Sequence, residues 1–198
     1  EGIGAILPPN SQPETLNELA QQATAFAGTA PCPAQLSSLE HITPVEQPIA
    51  YEDPLWQWPD TADVIFYTSG SSGKAKPIYK QWKHLVREIT CLSNTFSQYE
   101  AEVCQSTVSH QHIYGILFKL LLPIGLGQCI TSQGLYPEDL LSQAKNYQRI
   151  RLVCSPAFLQ RLVQDNVLIA LKDRITDIFS SGAPLPDDLA FLCYQQLG

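Results

Sequence analysis

From residue 61 onward the chain alternates short β-rich runs with amphipathic helical ones, and this alternation restricts the possible folds more than any other feature. Residues 63–67 (DVIFY) read as a strand, followed by a Gly/Ser-rich turn. Residues 79–98 predict a long helix with Trp82, Leu85, Val86, Ile89, Leu92 and Phe96 on one face at three- and four-residue steps. A strand near Glu102–Val108, an apolar helix over about Ile113–Leu122, a strand near Gln128–Thr131 and a helix after Pro137 come next. A strand over Ile150–Cys154, a helix after Pro156, a strand over Ile175–Ser180 and a helix opening near Pro186 complete the series. Such a series predicts an α/β fold with a mostly parallel, doubly wound sheet and flanking helices. Sites in sheets of this kind lie beyond the C-terminal ends of the strands.

Residues 1–60 follow a different pattern, punctuated by Pro8, Pro9, Pro31, Pro33, Pro44, Pro48, Pro54 and Pro59. One helix is predicted there, Thr15–Phe26, carrying Leu16, Leu19, Ala20, Ala23 and Phe26 at helical spacing. The expected organisation is an N-terminal Pro-rich packing segment, 1–60, followed by an α/β domain, 61–198.

With 12 basic and 19 acidic residues the formal charge is −7, which leaves no broad basic surface for a nucleic acid. No apolar run approaches the roughly 18–20 residues of a membrane span, and no secretory signal is visible, so a cytoplasmic location is the default expectation. Cys32, Cys91, Cys104, Cys129, Cys154 and Cys193 form no CxxC pair, and several sit in apolar runs, as expected of free thiols in a reducing compartment. The absence of methionine suggests that Glu1 is not the native start and that the chain is a fragment or a processed product.

The stretch Tyr67-Thr68-Ser69-Gly70-Ser71-Ser72-Gly73-Lys74-Ala75-Lys76-Pro77 has the composition of a phosphate-binding loop and follows a strand. Two glycines allow a tight turn that aims several N–H groups at one oxyanion, and four hydroxyls can donate to phosphate oxygens. Lys74 and Lys76 supply charge that an acidic chain otherwise lacks. A flexible linker would also contain Gly and Ser, but it has no reason to follow a buried-type strand or to end in two lysines. The nucleoside-triphosphatase P-loop requires four residues between its first glycine and the Gly-Lys pair, whereas Gly70 and Gly73 are separated by two. The hydrolase elbow G-x-S-x-G fails on the same spacing.

This loop resembles the signature of the AMP-forming, adenylate-forming superfamily that includes acyl-CoA synthetases, peptide-synthetase adenylation domains and luciferases. The resemblance implies that Thr68, Ser69, Gly70, Ser71, Ser72 and Gly73, with Lys74 nearby, wrap the ATP phosphates, and that Lys76 is the loop's catalytic lysine. Ala75 stands where the family usually has proline. Val108-Ser109-His110-Gln111-His112-Ile113-Tyr114-Gly115 is similar to the family's second core segment, which implies that His112 lies beside the acyl pocket. Two other readings of these histidines stay open. His110 and His112 could share a metal ion, although no Cys, Asp or Glu lies close by, and either could be a histidine satisfied in a crowded interior. Residues 175–185 (ITDIFSSGAPL) resemble the strand and loop that touch adenine, which implies cofactor contacts from Ser181, Gly182, Ala183 and Pro184, with Ser181 replacing a glycine.

The resemblance implies a partial adenylate-forming large-domain fold and, for the complete enzyme, activation of a small carboxylic acid by ATP and transfer to CoA or a phosphopantetheine thiol, with an acyl carrier protein as one acceptor. It places the chemistry in fatty acid metabolism. The family's Mg²⁺-binding glutamate, ribose-binding aspartate and second catalytic lysine are expected beyond Gly198, so this chain alone is expected to be inactive and to hold no metal ligand. The alternative is a non-catalytic nucleotide- or partner-binding module derived from an adenylation domain.

Overall fold

The computed structural model describes residues 4–28, 31–43, 61–68, 76–131 and 136–198. The chain divides into two compact units, Glu1–His84 and Leu85–Gly198.

In the first unit, strand β1 (Ala5–Ile6) lies parallel to β4 (Asp63–Thr68), and β4 lies antiparallel to β5 (Lys76–Gln81). Strands β2 (Ala25–Ala27) and β3 (Glu40–Ile42) form a separate parallel pair, braced by stacking of Phe26 on His41. Helix α1 (Pro13–Ala20) buries Leu16 and Leu19. It is shorter than the helix predicted over Thr15–Phe26, because Phe26 belongs to β2 and pairs with His41.

Helix α2 spans Trp82–Phe96 rather than 79–98. Residues 76–81 form a hairpin arm, and that strand was invisible to periodicity because Ile78 and Tyr79 are exposed and leave no buried alternation to detect. Pro77, opposite Tyr67, has no N–H to give to a ladder, and β5 stands at the edge of the three-stranded sheet among the described residues. Of the predicted stripe on α2, Trp82, Leu85 and Ile89 are buried and Leu92 and Phe96 half-buried, whereas Val86 is exposed.

The second unit is a four-stranded, all-parallel sheet in the order β7 (Cys129–Ile130), β6 (Val103–Ser106), β8 (Ile150–Cys154), β9 (Ile175–Ser180). One face is covered by α5 (Pro137–Ala144), α6 (Pro156–Gln164), α7 (Val167–Leu171) and α8 (Asp187–Leu197), which bury Val103, Ile150, Leu152 and Cys154 with Leu140, Leu159, Leu162 and Leu168. Ser155 caps α6 by accepting from the Phe158 N–H.

The opposite face carries the C-terminal end of α2 and a helical segment built as α3 (Ile113–Gly115), a π-helical stretch Ile116–Leu121 and α4 (Leu122–Gly125). Pro123 explains the wide turn. An α-helix would drive its ring into the Lys119 carbonyl, and the expanded turn relieves that clash. The Leu122 N–H accordingly bonds the Leu117 carbonyl, five residues back. The Phe118 carbonyl, whose partner in that pattern would be the missing Pro123 N–H, accepts instead from the Cys104 thiol at 3.6 Å. Burial pushes the Cys104 pKa up to about 12, with lesser opposing and reinforcing charges from Arg151 and Asp177, so the thiol stays protonated and able to donate.

Arg151 is completely buried on this face. Its guanidinium donates to both Asp177 carboxylate oxygens at 2.7–3.0 Å, to Gln128 Oε1 at 3.1 Å, and to the Phe96 and Tyr99 carbonyls at 3.4 Å. The ring of Phe179 lies 5.4 Å from the guanidinium carbon. Among the described residues no helix is long and apolar enough to cross a membrane.

Arg151→Met strands the Asp177 carboxylate in a dry site, and the expected cost is about 3–5 kcal/mol. Urea denaturation followed by circular dichroism checks this. The double variant Arg151→Met/Asp177→Leu is expected to recover most of the loss, since it removes both charges.

Candidate functional site

Within each unit, taken by itself, predicted site residues lie at the end of a strand. In the first unit Thr68 closes β4, Lys76 opens β5, and the two are direct cross-strand partners. Both are exposed. A hairpin thus delivers a hydroxyl and an ammonium, side by side, to the base of the Gly/Ser loop. The predicted phosphate contacts Ser69, Gly70, Ser71, Ser72, Gly73 and Lys74 lie outside the described residues.

In the second unit the segment after β6 turns sharply at Thr107–His112. Ser109 Oγ accepts from the Gln111 N–H at 3.2 Å and donates to Gln111 Oε1 at 3.3 Å. His112 is the extended residue before α3, and its carbonyl accepts from the Ile116 N–H at 2.9 Å. Gly115 is obligatory for a steric reason: a Cβ there would stand 1.9 Å from the Ser109 carbonyl oxygen and 2.7 Å from its carbon. The glycine of the His-x-x-Gly pattern therefore lets the turn fold down onto the helix that follows it.

Tyr114 joins this segment to the next strand. Its hydroxyl donates to the Cys154 carbonyl at 3.4 Å, and the Ser181 N–H donates to the same oxygen at 3.2 Å. One carbonyl at the C-terminal end of β8 thus ties the histidine segment to the Ser181-Gly182-Ala183-Pro184 loop. Burial raises the Tyr114 pKa, with smaller contributions from Cys154 and Cys104, so the phenol remains a donor. Gly182 has φ +94° and nothing within 4 Å of a Cβ position, so glycine serves the backbone turn and leaves open space beside it. Ala183 and Pro184 are exposed next to it.

Three aromatic rings line the sheet face below these loops. Tyr114 lies 5.1 Å from Phe118, and Phe118 lies 4.7 Å from Phe179. Lys119, in the π-helical stretch, is buried and donates to the Val108 carbonyl at 3.3 Å. His110 has its pKa lowered by lost hydration first and by the charge of Lys119 second. No group of three or more His, Cys, Asp or Glu side chains able to hold a metal occurs among the described residues.

Tyr114, Gly115, Phe118 and Lys119 were not singled out as site residues from the sequence. The usable signals were the glycine three residues after His112 and a lone lysine inside the apolar run ILFKLL.

Residues 8–198 match the family model described as AMP-binding enzyme. The chain belongs to the AMP-binding enzyme family. The mitochondrial malonate–CoA ligase of Mus musculus is 28% identical over 159 residues, covering 72% of this chain and 27% of that protein. A 4-coumarate–CoA ligase of Rhodobacter capsulatus is 30% identical over 133 residues, covering 66% of this chain and 33% of that protein. A solved malonyl-CoA ligase, a ternary product complex with methylmalonyl-CoA and AMP bound, superposes with a TM-score of 0.81 at 18% identity, covering 99% of this chain and 45% of that one. At that identity the likeness shows the AMP-binding fold alone. The chain spans about a quarter to a third of the length of these two relatives.

Gly115→Ala is expected to push the Ser109–His112 turn off the helix, because the colliding atoms are backbone and cannot rotate away. Overpacking of this kind costs about 1–3 kcal/mol. Shifted His110 and His112 imidazole resonances together with a lowered unfolding midpoint would report it.

Proposed function

We propose that the chain is the phosphate- and acid-binding part of an ATP-dependent acid–thiol ligase that forms an acyl-adenylate and passes the acyl group to CoA or a carrier-protein thiol. The observation that carries the reading is the AMP-binding family match across residues 8–198. In the first half-reaction a carboxylate oxygen of the acid attacks the α-phosphorus of ATP, an O–P bond forms, and pyrophosphate leaves. In the second a thiolate attacks the acyl carbon and AMP leaves with the electron pair of the broken C–O bond.

The residues present fit these substrates. Lys76 and Thr68, cross-strand partners in the hairpin, are suited to holding the departing pyrophosphate. The open space beside Gly182 suits close approach of a flat adenine to backbone, flanked by Ser181, Ala183 and Pro184. His112 stands at the start of α3, at the C-terminal end of a parallel strand, where an acid carboxylate would be oriented. Mg²⁺, when bound with ATP, would supply charge neutralisation as two anions meet, beside the charge that Lys76 brings. Six free thiols suit a reducing compartment such as the cytoplasm.

ATP–pyrophosphate exchange with a panel of fatty, hydroxy, aryl and dicarboxylic acids, run on the intact protein that carries this chain, tests the reading. No exchange with any acid would sink it. Lys76→Ala and the pair Ser71→Ala/Ser72→Ala are each expected to lower exchange about ten- to a hundredfold, since charge-assisted contacts are worth about 1.5–3 kcal/mol each. Steady-state kinetics for His112→Ala are expected to change the kcat or KM for the acid and leave the KM for ATP nearly unchanged.

A further inference from the structure

Arg151 and Lys119 are the two buried cations among the described residues, and their surroundings differ. Arg151 faces a carboxylate, whereas Lys119 makes its one hydrogen bond among these residues to a neutral carbonyl, that of Val108. No carboxylate of a described residue lies within ion-pair distance of it. An ammonium largely removed from water with a single neutral acceptor is disfavoured, and the arrival of a counter-charge relieves that cost.

The position of Lys119 indicates where that counter-charge would come from. A long side chain on a helix points back toward the N-terminus of the helix, and here it reaches the turn between β6 and α3. That turn carries His110 and His112 and sits beyond the C-terminal end of a parallel strand, the place where ligands enter sheets of this class. The neighbouring His110 is pushed toward its neutral form, so the positive charge of this corner rests on Lys119 Nζ. The rest of the π-helical stretch, Ile116, Leu117, Phe118, Leu120 and Leu121, is apolar.

We propose that Lys119 forms an anion subsite for a second, distal carboxylate on the acid being activated, so that the enzyme selects dicarboxylic over monocarboxylic acids. The proposal rests on the acid-activating reading above. A monocarboxylic acid bound in the same place leaves the ammonium bare against an apolar wall, and this penalty on the wrong substrate is what discriminates.

The test is ATP–pyrophosphate exchange by the intact protein with malonate, succinate and glutarate against propionate, butyrate and valerate, for the wild type, Lys119→Met and Lys119→Arg. The wild type is expected to show a higher kcat/KM with at least one dicarboxylate than with its monocarboxylate of equal length. Lys119→Met is expected to raise the KM for that dicarboxylate about ten- to a hundredfold while leaving the matching monocarboxylate unchanged or improved, and Lys119→Arg to retain the preference. A Lys119→Met variant that slows both classes equally shows that the lysine only anchors the Val108 carbonyl, and overturns the subsite. A wild type that favours monocarboxylates throughout also overturns it, and this comparison decides the matter even if Lys119→Met fails to fold. Exchange with none of the six acids but with an aryl or long-chain acid overturns the subsite and leaves the ligase reading standing, whereas exchange with no acid at all removes both.

Discussion

Burying a guanidinium costs several kcal/mol unless its donors are met, and Arg151 meets that condition by drawing four parts of the second unit onto one side chain. Asp177 comes from β9, Gln128 from the approach to β7, and the Phe96 and Tyr99 carbonyls from the end of α2 and the turn after it. The strand register is bent to allow this. Ile150 pairs with Ile175, but Arg151 pairs with Asp177, so Thr176 is bulged out. A regular register would set Asp177 opposite Leu152 and point it into the apolar layer under α5–α8, where Ile175 and Ile178 both pack. The bulge sends two isoleucines three residues apart to one face and the carboxylate to the other. Thr176 Oγ1 donates to the Ile150 carbonyl across the irregularity.

The same face leads to the candidate site. Phe179 packs over Arg151, Phe118 over Phe179 and Tyr114 over Phe118, and the last of these rings ends in a hydroxyl on the Cys154 carbonyl. The aromatic series runs from the charged centre of the sheet to its C-terminal edge. Rigid rings packed against a fixed ion pair suit a site whose loops must be held to within fractions of an ångström. The turn that presents His112 depends on this support from beneath and on Gly115 from the side, where only a missing Cβ allows the Ser109 carbonyl to approach.

Much of this architecture was legible in the sequence, and what was missed has identifiable physical causes. Strands Ile150–Cys154 and Ile175–Ser180 were placed to the residue, because β-branched runs bounded by Pro and Gly leave little choice. Periodicity extends the helix back over residues 79–81 of the arm Lys76–Gln81, because an exposed edge strand has no buried alternation, and its pairing with β4 is a long-range choice that local periodicity does not encode. The π-helical turn was hidden in an apolar run that reads equally well as α-helix, although Pro123 marked where regular bonding had to fail. Of the site, Lys76, His112 and the Ser181–Pro184 loop were legible as motifs. Tyr114 and Lys119 were not, since their roles depend on carbonyls 40 and 11 residues away.

The two buried cations of the second unit show why burial alone does not define a role. Arg151 engages all three guanidinium nitrogens and lies against a carboxylate within its own fold, so its charge is spent on structure and has nothing left to offer a ligand. Lys119 is a compact ammonium with three protons, one of which meets the Val108 carbonyl. The planar fork of arginine suits a permanent partner, because several bonds form for little further loss of side-chain freedom. A lysine on a flexible stem suits a partner that arrives and leaves, since its remaining protons can be satisfied by water or by an anion without rearranging the sheet. The two residue types occupy different parts of the unit, Arg151 at the centre of the sheet and Lys119, with no carboxylate partner among the described residues, reaching the turn that follows β6.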